Sequence, residues 1–187
     1  APVTSSAAVR AAAEAELRRR RKIREEECVD FNTWLKVTSP TLEWDVPHLL
    51  KIQEALAAIE RRDINRLILN TPPRHGKTEQ VTVRYPAYRL EKNPQIRNIT
   101  GAYNQLLVDK FSRKTRRIAR QRGIRLSTER NAVHDWETTQ GGGLRAVGVG
   151  GGITGSGGDL ILIDDPIKNR EEAESETYRE KLWAWFL

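Results

Sequence analysis

The sequence predicts an α/β fold in which a parallel-dominated central sheet is flanked by helices. Two short apolar runs, at residues 67–69 and 160–163, are typical of strands buried in such a sheet. Segments with helical periodicity lie between these runs and after the second one. Alternation of strand-like and helical segments is the pattern from which parallel sheets are built.

The chain begins with a segment that predicts a charged helix. Residues 7–27 are rich in Ala, Arg and Glu and contain neither Gly nor Pro, a composition that favours a helix. Arg21 and Glu25 lie four residues apart and therefore share one helical face. We assign residues 1–30 to a helical extension that is solvated, docks on a partner, contacts nucleic acid or carries a targeting signal. Residues 31–187 form the main predicted domain.

The next predicted elements lead into a loop. A helix begins at Pro47, and its apolar residues recur at helical spacing: Leu49, Ile52, Leu56 and Ile59. Residues 67–69 are the first predicted strand and run directly into the loop of residues 71–78. The helix that opens at Gly76 should break near Pro86, because an interior proline loses a hydrogen bond.

The second half of the chain continues the alternation. Residues 96–103 predict a strand, and Asn104 can cap the following helix, whose inner face carries Leu107, Phe111 and Ile118. Three weaker strands are predicted at residues 125–127, 133–137 and 144–149. The last two elements are a buried parallel strand and a helix, at residues 160–163 and 171–186.

The composition narrows the functional class. Lys and Arg outnumber Asp and Glu by 32 to 25, a net charge of +7, which makes nucleic acid the first candidate partner. The lone Cys28 cannot form an internal disulfide, and no apolar run approaches the length that spans a bilayer. We therefore expect a cytosolic protein without a membrane partner.

Residues 71–78 resemble a phosphate-binding loop. They read T-P-P-R-H-G-K-T and match the pattern G-x-x-x-x-G-K-[ST], except that Thr71 replaces the first glycine. Backbone N–H groups at the start of the following helix favour anions. Lys77 is expected to reach the β and γ phosphates of ATP, and the Thr78 hydroxyl to ligate Mg²⁺. The ATP-binding residues predicted from this loop are Thr71, Pro72, Pro73, Arg74, His75, Gly76, Lys77 and Thr78.

Two acids end the apolar run of residues 160–163. In P-loop enzymes the first acid holds Mg²⁺, and a following acid orients or deprotonates the attacking water. We assign Asp164 to the metal and Asp165 to the water. Two alternatives stay open for the second role: Asp165 instead caps the turn that follows, or another acid is the base, Glu172 or Glu174.

Arg74 is the third residue with a predicted catalytic role, beside Asp165 and Lys77. Its guanidinium could bridge γ-phosphate oxygens and stabilise developing charge. Without nucleotide it could instead rest in a salt bridge with Asp164 or Asp165. Together, the loop and the acidic strand end predict a P-loop NTPase fold of the ASCE type.

Three motifs together resemble the ATPase half of phage terminase large subunits. They are P-P-R-H-G-K-T at residues 72–78, the glycine-rich residues 148–155, and L-I-L-I-D-D-P-I-K-N at residues 160–169. The similarity extends from about Phe31 to the last residue. The resemblance implies an ATP-hydrolysing motor that uses ATP and Mg²⁺ to translocate double-stranded DNA into the procapsid.

The resemblance also implies partners and further chain. The family suggests a homo-oligomeric ring, a pentamer, that works in the host cytoplasm and transiently at the portal vertex, with the portal protein and the small terminase subunit. It implies a C-terminal nuclease domain beyond Leu187. Separately, an apolar patch at the end of the chain predicts that something covers it: Trp183, Trp185, Phe186 and Leu187. It places His48 and Gln53 near the adenine, although His48 fits an ordinary helix start equally well.

One position departs from the family pattern. Related sequences commonly carry Arg where this chain has Ser156, and such an arginine could reach a neighbouring subunit's ATP. The possible substitutes are Arg145, Arg113 and Arg116.

The helix after Asn104 is strongly basic. Residues 110–122 contain seven basic residues and no acid, and the side chains opposite its apolar face should project outward. Either they grip a DNA backbone, or they form a solubilising face or a subunit interface. The predicted DNA-binding residues are Lys110, Arg113, Lys114, Arg116, Arg117 and Arg120.

Two other functions fit the same residues. One is a different nucleic-acid-stimulated P-loop ATPase, such as a helicase-type translocase. The other is a DNA-binding or scaffold module that retains the fold without hydrolysing ATP.

Overall fold

A computed structural model describes residues 30–152 and 157–186 of the chain. The charged helix predicted over residues 7–27 and the departure at Ser156 lie outside the described residues. The chain divides into two compact units, Ala1–Leu67 and Ile68–Leu187. Each unit is described by itself below.

The first unit contains two helices, α1 (Phe31–Thr38) and α2 (Pro47–Arg61). Asp30 caps α1 by accepting a hydrogen bond from the backbone N–H of Thr33. The predicted helix start at Pro47 is confirmed, and three of the four predicted stripe residues are buried, with Ile59 half-buried. The apolar faces of the two helices supply the core of this unit: Phe31, Trp34, Leu35, Leu49, Ile52 and Leu56.

The second unit is built on a five-stranded sheet with the strand order β2-β3-β4-β1-β5. Its strands are β1 (Arg97–Ala102), β2 (Leu126–Asn131), β3 (Asp135–Thr138), β4 (Gly143–Gly148) and β5 (Leu160–Ile163). β1 pairs in parallel with β4 and with β5, whereas β3 pairs in antiparallel with β2 and with β4. The sheet is therefore mixed, whereas the sequence predicted a parallel-dominated one. The difference arises because the short connections on either side of β3 can join only antiparallel neighbours.

The sequence-based prediction for residues 67–69 is wrong, because these residues join no strand of the sheet. Ile68 is 87% exposed. In the described part of the chain β5 pairs on one side only, and its side chains Ile161 and Ile163 are exposed, so the predicted burial of this strand is also wrong. An apolar run supplies the side chains of a buried strand, but burial itself requires other elements that cover the faces of the sheet.

The helices of the second unit begin directly after the predicted phosphate loop. A π-helix (Thr78–Arg84) continues into α3 (Tyr85–Lys92), and the later helices are α4 (Gln105–Gln121), α5 (Arg170–Glu174) and α6 (Glu176–Phe186). Among the described residues, none of the helices has the length and apolar character needed to cross a bilayer.

Pro86 changes the helix without ending it. The predicted break is wrong, since α3 continues to Lys92. The π-helix closes with a hydrogen bond from the Tyr85 N–H to the Gln80 carbonyl, and Pro86 then lies in the first turn of α3. Proline is tolerated in a first turn, where its missing N–H removes no intrahelical bond.

Two other helix predictions have different outcomes. Asn104 caps α4 as predicted, since its side chain accepts a 2.8 Å hydrogen bond from the Leu107 N–H. The helix predicted over residues 171–186 is two helices, because Ser175 has extended backbone angles between α5 and α6.

The end of α6 packs partly on the sheet. The Trp185 ring lies over Gly101, where an added Cβ would come within 2.9 Å of the ring, and its Nε1 donates a 2.9 Å hydrogen bond to the Gly151 carbonyl. Trp183 and Phe186 are exposed and contact each other. Two members of the predicted apolar patch are therefore at the surface, while Trp185 is half-buried.

The core of the second unit lies between the sheet and the helices α3 and α4. The inner face of α4 is as predicted, with Ile118 buried and with Leu107 and Phe111 packed against the core. The fully buried members of this core come from both helices, three strands and their connections: Leu90, Ile96, Ala102, Val108, Ala119, Ile124, Trp136, Leu144 and Ala146.

A buried ion pair ties α3 to the residue that follows α4. The Arg122 guanidinium donates two hydrogen bonds, of 2.8 and 2.9 Å, to the two carboxylate oxygens of Glu91. The Glu91 side chain is 1% exposed, so the ion pair is shielded from solvent.

We predict that Arg122→Ala lowers the free energy of unfolding by about 3 kcal/mol, because it removes a two-bond ion pair from the buried Glu91 carboxylate. Urea unfolding of the purified chain measures this change. Arg125→Ala, which removes an exposed arginine three residues away, is the matched control and should change the value by about 0.5 kcal/mol or less. Equal losses for the two variants would contradict the prediction.

Candidate nucleotide-binding site

The predicted phosphate loop is an irregular turn with left-handed backbone angles at two positions. Residues 71–76 form an irregular turn that leads into the π-helix. Gly76 has φ +81° and Arg74 has φ +64°, both in the left-handed region that glycine adopts most readily. The His75 ring nitrogen Nδ1 lies 2.8 Å from the Pro73 carbonyl oxygen, and the Gln80 N–H donates to the Gly76 carbonyl. These bonds hold the loop against the start of the helix.

The two acids that follow β5 are fixed by backbone bonds to the end of β1. The Asp164 N–H donates to the Gly101 carbonyl at 2.9 Å, and the Asp165 carbonyl accepts from the Tyr103 N–H at 3.2 Å. Asp164 is 4% exposed, whereas Asp165 is exposed and has φ +46°. The parallel pairing of β1 with β5 therefore presents one buried and one exposed carboxylate at the same end of the sheet.

Lys77 joins the phosphate loop to both acids. Its Nζ lies 3.3 Å from Oδ1 of Asp164 and 3.2 Å from Oδ1 of Asp165. Partial burial lowers the pKa of Lys77, but the attraction of Asp164 and Asp165 outweighs burial, so that the pKa is raised and the ammonium stays charged. Three predicted site residues, separated by 87 and 88 positions along the chain, are thereby brought into contact.

Arg74 does not form the salt bridge with Asp164 or Asp165 that the sequence analysis gave as its alternative role. The salt bridge to the two acids is made by Lys77. The Arg74 side chain is exposed, and within the described residues it forms no ion pair with Asp164 or Asp165. A role of Arg74 at the γ-phosphate remains a prediction.

Thr82 is a site residue that the sequence analysis missed. Its hydroxyl donates a 2.9 Å hydrogen bond to Oδ2 of Asp164, and both groups are buried. Thr82 lies four residues after Thr78 on the same helix, so helical spacing could have suggested that the two share a face. The contact with Asp164 itself joins residues 82 positions apart.

Glu79 was also missed. Its carboxylate accepts from Lys114 of α4 at 2.9 Å and from Arg84 at 3.0 Å. Burial lowers the pKa of Arg84, and the attraction of Glu79 opposes that shift. These contacts connect the helix that follows the phosphate loop to the basic helix α4.

The donors at this site fit a magnesium ion that arrives with a nucleotide. The Asp164 carboxylate and the Thr78 hydroxyl are hard oxygen donors of the kind Mg²⁺ prefers, and in nucleotide sites Mg²⁺ takes only one or two carboxylates, with phosphates and water as its other ligands. Among residues 30–152 and 157–186, no group of three or more His, Cys, Asp or Glu side chains could hold a metal by itself.

The two predicted adenine residues belong to the first compact unit. His48 is exposed in the first turn of α2. The buried Gln53 amide accepts from Asn32 at 2.8 Å and donates to the Trp44 carbonyl at 3.2 Å, so it ties α2 to α1 and to the connection between them. A contact of either residue with adenine remains a prediction.

The alternative catalytic bases have local partners. Glu172 accepts from the Lys168 N–H at 2.9 Å, and Glu174 forms an ion pair with Arg170 within α5. The choice among Asp165, Glu172 and Glu174 remains a prediction.

The basic residues of α4 separate into groups with different partners. Lys114 pairs with Glu79, while Arg116 and Arg120 donate to the backbone and side-chain oxygens of Asn131. Burial, together with the charges of Arg120 and Arg113, lowers the pKa of Arg116. The remaining predicted DNA-binding residues are exposed and share one stripe at positions i, i+3 and i+7: Lys110, Arg113 and Arg117.

Two of the three arginines considered as a replacement at position 156 are bound to backbone carbonyls. Arg145 donates to the Gly152 carbonyl at 3.0 Å, and Arg116 donates to the Asn131 carbonyl at 2.8 Å. Arg113 is exposed on α4.

Comparisons with known proteins identify the family of the chain. No curated protein matches the chain. The family described as "Terminase large subunit, T4likevirus-type, N-terminal" matches residues 68–185, which cover the phosphate loop, the basic helix α4 and the acidic end of β5. The match spans more than half of the sequence, and the chain therefore belongs to the terminase large subunit family, in its N-terminal part.

Proposed function

We propose that this chain is the ATP-hydrolysing motor domain of a viral terminase large subunit, which converts ATP and water to ADP and phosphate and translocates double-stranded DNA into a procapsid. Membership of the terminase family supports a role in DNA packaging. The observation that carries the enzymatic part is the position of Lys77 between Asp164 and Asp165, beside the left-handed Gly76 of the loop.

Nucleotide binding would exchange the partners of Lys77. An ammonium held between two carboxylates can turn to the more highly charged β and γ phosphates of ATP, which are cradled by backbone N–H groups at the start of the π-helix. That exchange releases Oδ1 of Asp164 from its contact with Lys77. Because the ammonium is partly buried, its attraction to the phosphates would be stronger than in bulk water.

Asp164 and Thr78 would hold Mg²⁺ at the phosphates. Held by these two residues, the metal ion would supply positive charge against the negative charge that develops on the phosphates. Asp164 suits this role because its backbone is anchored to Gly101 and its side chain is buried.

Asp165 would orient or deprotonate the attacking water. Its exposed carboxylate is accessible to solvent, and its neighbour Lys77 leaves it on nucleotide binding. Arg74, exposed in the loop two residues before Gly76, would stabilise negative charge on the γ-phosphate.

The DNA backbone would contact the exposed basic stripe of α4. Phosphate contacts by Lys and Arg do not depend on base sequence, as a translocating motor requires. The stripe is formed by three exposed residues that make no ion pair within the described chain and, unlike Arg120, no hydrogen bond to Asn131: Lys110, Arg113 and Arg117.

The proposed assembly rests on the family and not on the geometry of one chain. We propose a homo-oligomeric ring, a pentamer, that acts on the portal protein together with the small terminase subunit in the host cytoplasm. In such a ring the exposed Arg113 is available to a neighbouring subunit or to DNA, whereas Arg145 and Arg116 already donate to backbone carbonyls.

Lys77→Ala and Asp164→Ala should each reduce Mg²⁺-dependent phosphate release from ATP by at least about 100-fold, because each removes a charge that acts on the phosphates or the metal. The rate of phosphate release by the protein with DNA present is the measurement. Lys51→Ala, which removes an exposed lysine of the first unit, is the control. Unchanged rates for both site variants would refute the enzyme, and strand displacement by the wild-type protein would favour a helicase instead.

Charge reversal of Lys110, Arg113 and Arg117 to Glu should abolish DNA stimulation of the ATPase. Loss of three phosphate contacts should also lower the slope of log K against log salt concentration for duplex DNA by about 3. Reversal of three exposed residues of the first unit is the charge-matched control: Lys51, Arg61 and Arg66. If both triple variants lose DNA affinity equally, net charge and not the α4 stripe is responsible.

A further inference from the structure

We propose that Thr82 is a positioning residue for Asp164, whose carboxylate it holds in the orientation that Mg²⁺ binding requires. This inference rests on the proposed nucleotide site. It assigns a role to a side chain that lies outside the phosphate loop and the acidic strand end.

The contact between the two residues is close and enclosed. The Thr82 hydroxyl oxygen lies 2.9 Å from Oδ2 of Asp164, and the two residues are 2% and 4% exposed. A hydrogen bond from a hydroxyl to a carboxylate is charge-assisted and therefore stronger than one between neutral groups. Without the hydroxyl, Oδ2 would lose its donor in a place that water reaches poorly.

The two oxygens of Asp164 have different partners. Oδ2 accepts from Thr82, while Oδ1 lies 3.3 Å from the Lys77 ammonium in the phosphate loop. The backbone of Asp164 is already fixed by its bond to Gly101, so side-chain rotation is the main freedom left to the carboxylate. The Thr82 hydroxyl restricts that rotation and keeps Oδ1 on the side of the phosphates.

A neutral hydroxyl is a suitable hydrogen-bond donor to Asp164 if Asp164 is to bind a metal. Lys77 neutralises Asp164 and would turn to the phosphates when nucleotide binds, whereas Thr82 carries no charge and can stay. Asp164 then keeps its full negative charge for Mg²⁺ and also keeps its orientation. Hydrogen bonds of this kind orient metal ligands, and their removal commonly costs 10- to 100-fold in metal affinity.

The helix that carries Thr82 takes part in a second buried hydrogen bond, which does not involve Asp164. The Thr115 hydroxyl of α4 donates a buried 3.0 Å hydrogen bond to the Val83 carbonyl, one residue after Thr82. π-Helical turns are uncommon and are found frequently at functional sites. Thr115 contacts the same helix as Thr82 without touching Asp164, and it therefore offers a matched control.

The test is equilibrium binding of the fluorescent nucleotide N-methylanthraniloyl-ATP, titrated with MgCl₂. Thr82→Val, which replaces the hydroxyl with a methyl group, should raise the Mg²⁺ concentration at half-maximal binding by at least about tenfold. Thr82→Ser, which keeps the hydroxyl, should stay within about threefold of the wild-type protein. Thr82→Ala should reproduce the shift if the valine does not fold.

The control and the contrary outcomes separate the two claims. Thr115→Val, which removes a comparable buried hydroxyl, should lower the melting temperature and leave the Mg²⁺ midpoint in place. A wild-type midpoint in the Thr82→Val and Thr82→Ala proteins would overturn the role of Thr82, as would a serine variant as defective as the valine. A wild-type protein that binds no nucleotide at any Mg²⁺ concentration would instead refute the nucleotide site itself, and with it this inference. Nucleotide binding that does not change with Mg²⁺ would overturn the metal role of Asp164 and the role of Thr82.

Discussion

The site depends on one electrostatic contact, the position of the Lys77 ammonium between the carboxylates of Asp164 and Asp165. The ammonium attracts both carboxylates and so offsets the repulsion between them. The same cation is the group that phosphates would attract. The contact therefore stabilises the protein without nucleotide and prepares an exchange of partners, which is the electrostatic basis of the proposed ATP site.

β1 is the structural frame for that contact. It pairs with β4 on one side and with β5 on the other, and its end supplies the backbone bonds that fix both acids, at Gly101 and Tyr103. Trp185 packs over Gly101 at a distance that only a residue without Cβ permits. The site thus depends on parallel strand pairing, although the sheet as a whole is mixed.

α4 packs on the core and on the helix of the phosphate loop with one face and is exposed on the other. Its apolar face completes the core, Lys114 reaches Glu79 on the helix of the phosphate loop, and Thr115 holds the Val83 carbonyl. Its outer stripe remains available for a polyanion. α4 packs on the π-helix that follows the phosphate loop, and it also presents positive charge to solvent. In the proposed motor, α4 would therefore connect the nucleotide site to DNA, partly through buried hydrogen bonds.

The sequence by itself determined the features that depend on neighbours in the chain: the helix at Pro47, the Asn104 cap, the apolar face of α4 and the loop around Lys77. Local backbone preferences and periodicity suffice for these. Tertiary structure alone decided the contacts of Thr82 and Glu79, the exposure of β5 and the pairing of Arg122 with Glu91. Each of these features depends on which residues from distant parts of the chain come into contact, and local sequence patterns do not specify such contacts.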